Sequence, residues 1–116
     1  MNNGDFQRLI HIKAHCEDIM EFCERFGKSF ENYTSDNAFY NSVNMSVLQI
    51  GELAGGLSEE FREATEDTIP WKMIKGMRNW LAHSYGEIDD AMVWNTITND
   101  IPRLLDFCGD QISSLE

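Results

Sequence analysis

The sequence predicts an all-α protein: four main helices plus one short helix in an up-down bundle. Apolar residues recur at spacings of three and four through four long stretches, as they do on the buried seam of a helix. No stretch alternates apolar and polar residues as a half-buried strand would. Good N-cap types stand ahead of the later stretches, at Asp36, Ser58 and Asp89. With 116 residues the chain fits one domain, 1–116, large enough to bury a core without disulfides or a structural metal.

The first helix is expected from near Asp5 to about Phe30, on the seam Leu9, Ile12, Cys16, Ile19, Cys23, Phe26 and Phe30. The polar stretch Asn32 to Asp36 reads as a turn. A second helix starts near Asp36 with the stripe Val43, Val47, Ile50, Ala54 and Leu57. Gly51 and Gly55 share one face of it, each less favourable than Ala by about 1 kcal/mol. Close approach of another helix would explain them. Ser58 caps a short helix to about Thr65. Thr68-Ile69-Pro70 opens the fourth main stretch, with Pro70 suited to the first turn and Gly86 to the end. Asp89 caps the last helix, whose stripe runs from Trp94 to Leu115. Pro102 falls inside that stripe and should kink or break the helix.

Composition narrows the function. The net charge of -11 argues against a general nucleic-acid binder, since phosphate contacts need Lys and Arg. The charge is unevenly placed, however. Residues 69–86 hold Lys72, Lys75 and Arg78 and no acid, so this window carries +3 and the rest carries -14. The three cysteines form no CxxC pair and occupy apolar helical positions, as reduced core thiols do. No run of about 18 apolar residues is present to span a membrane. The N-terminus lacks the pattern of a signal peptide, which points to the cytoplasm.

The chemistry gathers on residues 71–85. On an ideal helix with Trp71 at about 0°, Met73, Ile74, Met77, Trp80 and Leu81 fall between about 180° and 300°, a core face. Lys72, Lys75, Arg78, Asn79 and His83 fall in a separate arc of roughly 140°, interrupted only by Ala82 and flanked by Tyr85. Nothing acidic lies in this segment to neutralise them. Such a face suits RNA cleavage by the RNA's own 2′-hydroxyl. A His can take or give the proton, and an Arg fork fits phosphate oxygens. Asn79 would orient His83 or bind a phosphate oxygen, and Lys72 and Lys75 would hold the strand. No carboxylate cluster is evident for a catalytic metal, so the expected mechanism is metal-independent and no cofactor is expected. One chain supplies one imidazole to this arc. A two-fold dimer through the face would join two copies into a composite cleft.

The segment IPWKMIKGMRNWLAHSYGEIDDAMVWNTITNDIPRLL, with VLQIGELAGGLSEEF before it, resembles the HepT-like branch of the HEPN superfamily. The likeness spans about Asp5 to Leu105. It is sharpest at Arg78-Asn79-x-x-x-His83-x-Tyr85 and at Asp89, Val93 and Trp94. The resemblance implies a HEPN-like helical homodimer acting as the metal-independent endoribonuclease toxin of a toxin–antitoxin pair. It implies catalytic roles for Arg78 and His83, with Asn79 as the polar residue after the Arg. The RNA substrate is unspecified, tRNA being one candidate. The implied antitoxin is a minimal (MNT-type) nucleotidyltransferase that attaches AMP to Tyr85. Glu52 lies either on the solvated surface or toward the cleft, where it would tune His83.

Two other classes stay open at this level. One is a non-catalytic HEPN subunit that grips a nucleotidyltransferase, which the net charge favours. The other is a metal protein using His11, His15 and Asp18 on the first helix, although no matched fourth ligand is evident.

Overall fold

A computed structural model describes residues 1–83 and 88–115, with His83 described in its backbone alone. The helices are α1 (Asn3–Phe26), α2 (Phe30–Ser35), α3 (Asn37–Gly56), α4 (Glu59–Thr65), α5 (Trp71–His83) and α6 (Asp90–Ser113). No strand occurs among the described residues. α3 packs against α1 on one side and α5 on the other, α1 packs against α6, and α2 bridges α3 and α6. No described helix is long and apolar enough to cross a membrane.

The predicted stripes form the core, except that Leu115 lies beyond the end of α6 and is 57% exposed, while Phe26, Trp94 and Ile112 are half-buried. Leu9, Ile12, Cys16, Ile19 and Cys23 of α1 are buried with Val43, Val47, Ile50 and Ala54 of α3 and Ile97, Ile101, Leu104 and Cys108 of α6. Burial pushes the Cys108 thiol up to about 12 and raises the Cys16 and Cys23 thiols as well. The expected caps are also present. The Asp36 carboxylate accepts from the amides of Ala38 and Phe39 at 2.9 and 3.2 Å. Ser58 accepts from Phe61 at 3.2 Å and Asp89 from Met92 at 3.1 Å.

Three expectations change. The first helix does not run to Phe30. Gly27, at φ 90°, ends it at Phe26, and Ser29 caps a new helix through the amide of Asn32 at 3.0 Å. Asn32 to Ser35 is therefore helical rather than a turn, so there are two short helices, not one. α2 places Tyr33 wholly inside the core, stacked on Trp94 with ring centroids 5.1 Å apart and edge-on to Phe39 at 6.0 Å. The Tyr33 hydroxyl donates to Asn44 Oδ1, while Phe30 is 43% exposed and leaves the seam. Third, α6 runs unbroken through Pro102. Ile97 and Ile101 before the proline, and Leu104 and Phe107 after it, are buried in one core and hold the two halves together. The expected helix end at Gly86 lies outside the described residues.

Asp5 links the chain start to the middle. It completes a capping box with Asn2 and is 1% exposed. Its carboxylate accepts from the Ser58 amide at 2.7 Å and the Ser58 hydroxyl at 2.6 Å. Burial by itself raises the pKa of this carboxyl, but the Ser58 hydroxyl and amide and the Asn2 amide together hold it below 3.8. A lowered folded-state pKa contributes stability above the unfolded value, and that stability is lost as pH falls through the folded value. Asp5→Ala should therefore lose about 1–3 kcal/mol in urea unfolding at neutral pH. Asp5→Asn should flatten the acid limb of stability against pH; an acid limb as steep as the wild type's would place the effect elsewhere.

Candidate active site on helix α5

Helix α5 is set in place at its start and at its middle. At its start, Trp71 is 3% exposed and its ring lies 5.8 Å from Phe107 and 6.2 Å from Phe61. Its indole N–H donates to Thr65 Oγ1 at 2.8 Å. The sequence pattern did not identify this anchor, because Trp71 lies off the apolar stripe of its own helix. Ile74 and Met77 are buried as expected, and Met73, Trp80 and Leu81 are half-buried.

Midway along, α3 and α5 touch at Gly51. A Cβ at that position would lie 2.9 Å from Arg78 Cβ, 3.1 Å from Arg78 N and 3.2 Å from Ile74 O. Two of those neighbours are backbone atoms, so little could give way. At Gly55 the same Cβ would meet only Lys75 side-chain carbons, at 3.6 Å and beyond. The close approach inferred from the two glycines is thus real and is concentrated at Gly51. It fixes where the Arg78 side chain begins.

The remaining faces of α5 carry the predicted polar arc. Lys72, Lys75 and Asn79 are exposed, and Arg78 is half-buried. Ala82 is exposed among them and leaves the surface open. His83 is the last residue of α5; its side chain and the whole of Tyr85 lie outside the described residues. A groove runs between the start of α5 and α4, with Lys72 and Lys75 on one wall and Glu59, Glu63 and Asp67 on the other. The cationic strip therefore has an acidic border on that side.

One expectation about charge needs correction. No acid lies within the α5 segment, but one reaches it from α3. Glu52 Oε1 accepts from Arg78 Nε, and the two form an ion pair. Arg78 Nη1 also donates to Asn79 Oδ1 at 3.2 Å. Glu52 is partly exposed, and its described partner is Arg78. An acid 26 residues away in sequence leaves no local signal of such a contact. The Asp89, Val93 and Trp94 group proves to be architectural. Asp89 caps α6, Val93 is buried, and Trp94 stacks on Tyr33. His11 is exposed and His15 half-buried. Among the described residues no group of three or more His, Cys, Asp or Glu could hold a metal ion.

The fold is that of a HEPN-type helical domain. The chain belongs to the family described as Ribonuclease HepT-like, which it matches over residues 12–110. It is 38% identical over 96 residues to the "Putative RNase TTE0752" of Caldanaerobacter subterraneus subsp. tengcongensis, covering 83% of each chain. It is 31% identical over 97 residues to the "Probable ribonuclease HepT" of Thermococcus cleftensis, covering 79% of this chain and 87% of that one. No solved structure matches the chain significantly.

The Gly51 contact can be tested against a glycine in the open. Gly51→Ala should be destabilised, because overpacking of about 1–3 kcal/mol outweighs a helix-propensity gain of about 1 kcal/mol. A Cβ at Gly76 would meet nothing within 4 Å, so Gly76→Ala should gain up to about 1 kcal/mol. Urea midpoints in the opposite order would refute the close crossing.

Proposed function

We propose that residues 1–116 form a single HEPN-like domain acting as a metal-independent endoribonuclease, the toxin of a cytoplasmic toxin–antitoxin pair. One observation carries this reading. Lys72, Lys75, Arg78 and Asn79 lie together along one outward strip of α5, in a chain whose other segments sum to -14. Membership of a ribonuclease family supports the same conclusion.

In this mechanism Arg78 and His83 are catalytic. His83 takes the proton of an RNA 2′-hydroxyl, and the 2′-oxygen bonds to the adjacent phosphorus. The bond from phosphorus to the 5′-oxygen breaks, leaving a 2′,3′-cyclic phosphate and a 5′-hydroxyl. Arg78 stabilises the charge that builds on the phosphate oxygens. Lys75 and Lys72 hold the strand, and Asn79 supports Arg78. A homodimer supplies a second His83 to protonate the leaving oxygen. The surface of α3 beside the strip favours such pairing, since Glu52 is the single charged residue in that helix and Met45 is 57% exposed. The partner is an MNT-type nucleotidyltransferase antitoxin that silences the enzyme by attaching AMP to Tyr85. The bulk and negative charge of that adduct would occupy the place of the substrate phosphate.

A second reading has its own support. The net charge of -11 and the pairing of Arg78 with Glu52 favour a non-catalytic subunit gripping a nucleotidyltransferase. Cleavage of tRNA and mixed cellular RNA in EDTA separates the two, using protein whose intact mass excludes an AMP adduct. The ribonuclease reading expects cleavage that His83→Ala and Arg78→Ala each reduce by at least about 100-fold. Unadducted protein that cuts nothing would leave the binding subunit.

A further inference from the structure

We propose that Glu52 is a positioning residue, which grips Arg78 by Nε so that its Nη hydrogens are presented to a substrate phosphate. This rests on the ribonuclease reading and adds a residue from outside the α5 segment to that site.

The first ground is selectivity. Among the described residues neither Lys72 nor Lys75 has a carboxylate within ion-pair distance, although acids line the opposite wall of their groove. Of Lys72, Lys75 and Arg78, Arg78 alone has a carboxylate partner among the described residues. The second is placement. Glu52 is the one charged residue of α3, so it is not part of a general solvated acidic face. It follows Gly51, where α3 comes within contact of the Arg78 Cβ and amide. The tight crossing fixes the roots of both side chains, and the ion pair then fixes the guanidinium. The third is the edge used. Glu52 takes Nε and Asn79 takes one Nη1 hydrogen. Both Nη2 hydrogens and the second Nη1 hydrogen have no partner among the described residues, and these can fork onto phosphate oxygens.

Stability does not account for the pair. Glu52 and Arg78 side chains are 50% and 41% exposed, and ion pairs of this kind contribute little to folding. An acid beside a phosphate site also weakens anion binding. Retaining one there is reasonable if it improves alignment, because misplacement of a catalytic group by about 1 Å can reduce the rate about 100-fold.

The test compares Glu52→Ala and Glu52→Gln with wild type in single-turnover RNA cleavage, with thermal midpoints as a folding control. Glu52→Ala should lower the maximal rate about 10- to 100-fold while KM stays level or falls, since a repelling charge has gone. Glu52→Gln keeps an acceptor for Nε and should recover most of the rate. An unchanged rate, a raised KM alone, or a Gln variant no better than Ala would overturn the proposal. A second measurement does not depend on cleavage. The 15N-bound Nε hydrogen of Arg78 should be protected from exchange in wild type and lose that protection in Glu52→Ala. Adding an oligonucleotide with 2′-deoxy residues should perturb the Nη signals and leave Nε protected. Loss of Nε protection on adding it, or no response at Arg78, overturns the positioning role. Wild-type protein that does not cleave, yet gives the expected Nε and Nη behaviour, removes the ribonuclease reading and leaves Glu52 holding Arg78 for an anion.

Discussion

The crossing of α3 over α5 at Gly51 is the contact on which the candidate site depends. Any other residue there would place a carbon against the Arg78 backbone and the Ile74 carbonyl. Without that carbon the two helices come close enough for Ile50 and Ala54 on one, and Ile74 and Met77 on the other, to be buried together. The same approach brings Glu52 within reach of the Arg78 guanidinium. Helix packing and the placing of the Glu52–Arg78 pair therefore both depend on one glycine. A helix-weakening residue is kept in the middle of α3 because interhelical distance matters more at that point than helix propensity.

Much of this was readable from the chain, and the limits follow from range. Caps at Asp36, Ser58 and Asp89 act over two or three residues, so the residue type and the apolar run behind it were enough to find them. Gly51 and Gly55 announced a close approach because glycine in a helix interior needs a reason. The break at Gly27 was also written locally, in a glycine followed by the capping Ser29, but the apolar seam continuing to Phe30 masked it. At Pro102 the break did not follow: α6 continues through the proline, with buried residues on both sides of it. The Glu52–Arg78 pair and the Trp71–Thr65 bond join separate elements, and no periodicity within either element contains them.

The charge pattern has a structural side that composition alone hides. Most of the acids lie away from α5 and are exposed, whereas Asp5 is buried, where two groups of Ser58 and the Asn2 amide satisfy it. Such a carboxylate ties the start of α1 to the start of α4 and belongs to the framework. Some of the remaining acids make contacts of their own: Glu52 with Arg78, Asp36 and Asp89 as caps, and Asp90 with the Tyr40 hydroxyl. The exposed others act through their field. A polyanion approaching this protein meets repulsion over most of the surface and attraction along α5. The border of Glu59, Glu63 and Asp67 beside Lys72 and Lys75 narrows that attraction to a strip. A net charge of -11 is thus compatible with RNA cleavage, provided the strand is engaged along one narrow line.

The sequence signature around α5 and α6 combines residues of two kinds. Asp89, Val93 and Trp94 serve a cap, a buried contact and an aromatic stack, and Trp94 reaches across to Tyr33 on α2. Lys72, Lys75 and Asn79 remain exposed, with no comparable role in the core. Arg78 stands between the two groups: its Cβ is packed at the helix crossing, and its guanidinium is directed by Glu52 and Asn79. A residue rooted in the core with a charged end held at the surface is the least free to drift. That makes Arg78 the fixed point against which a bound phosphate would be aligned, rather than Lys72 and Lys75, which are exposed and have no carboxylate partner among the described residues.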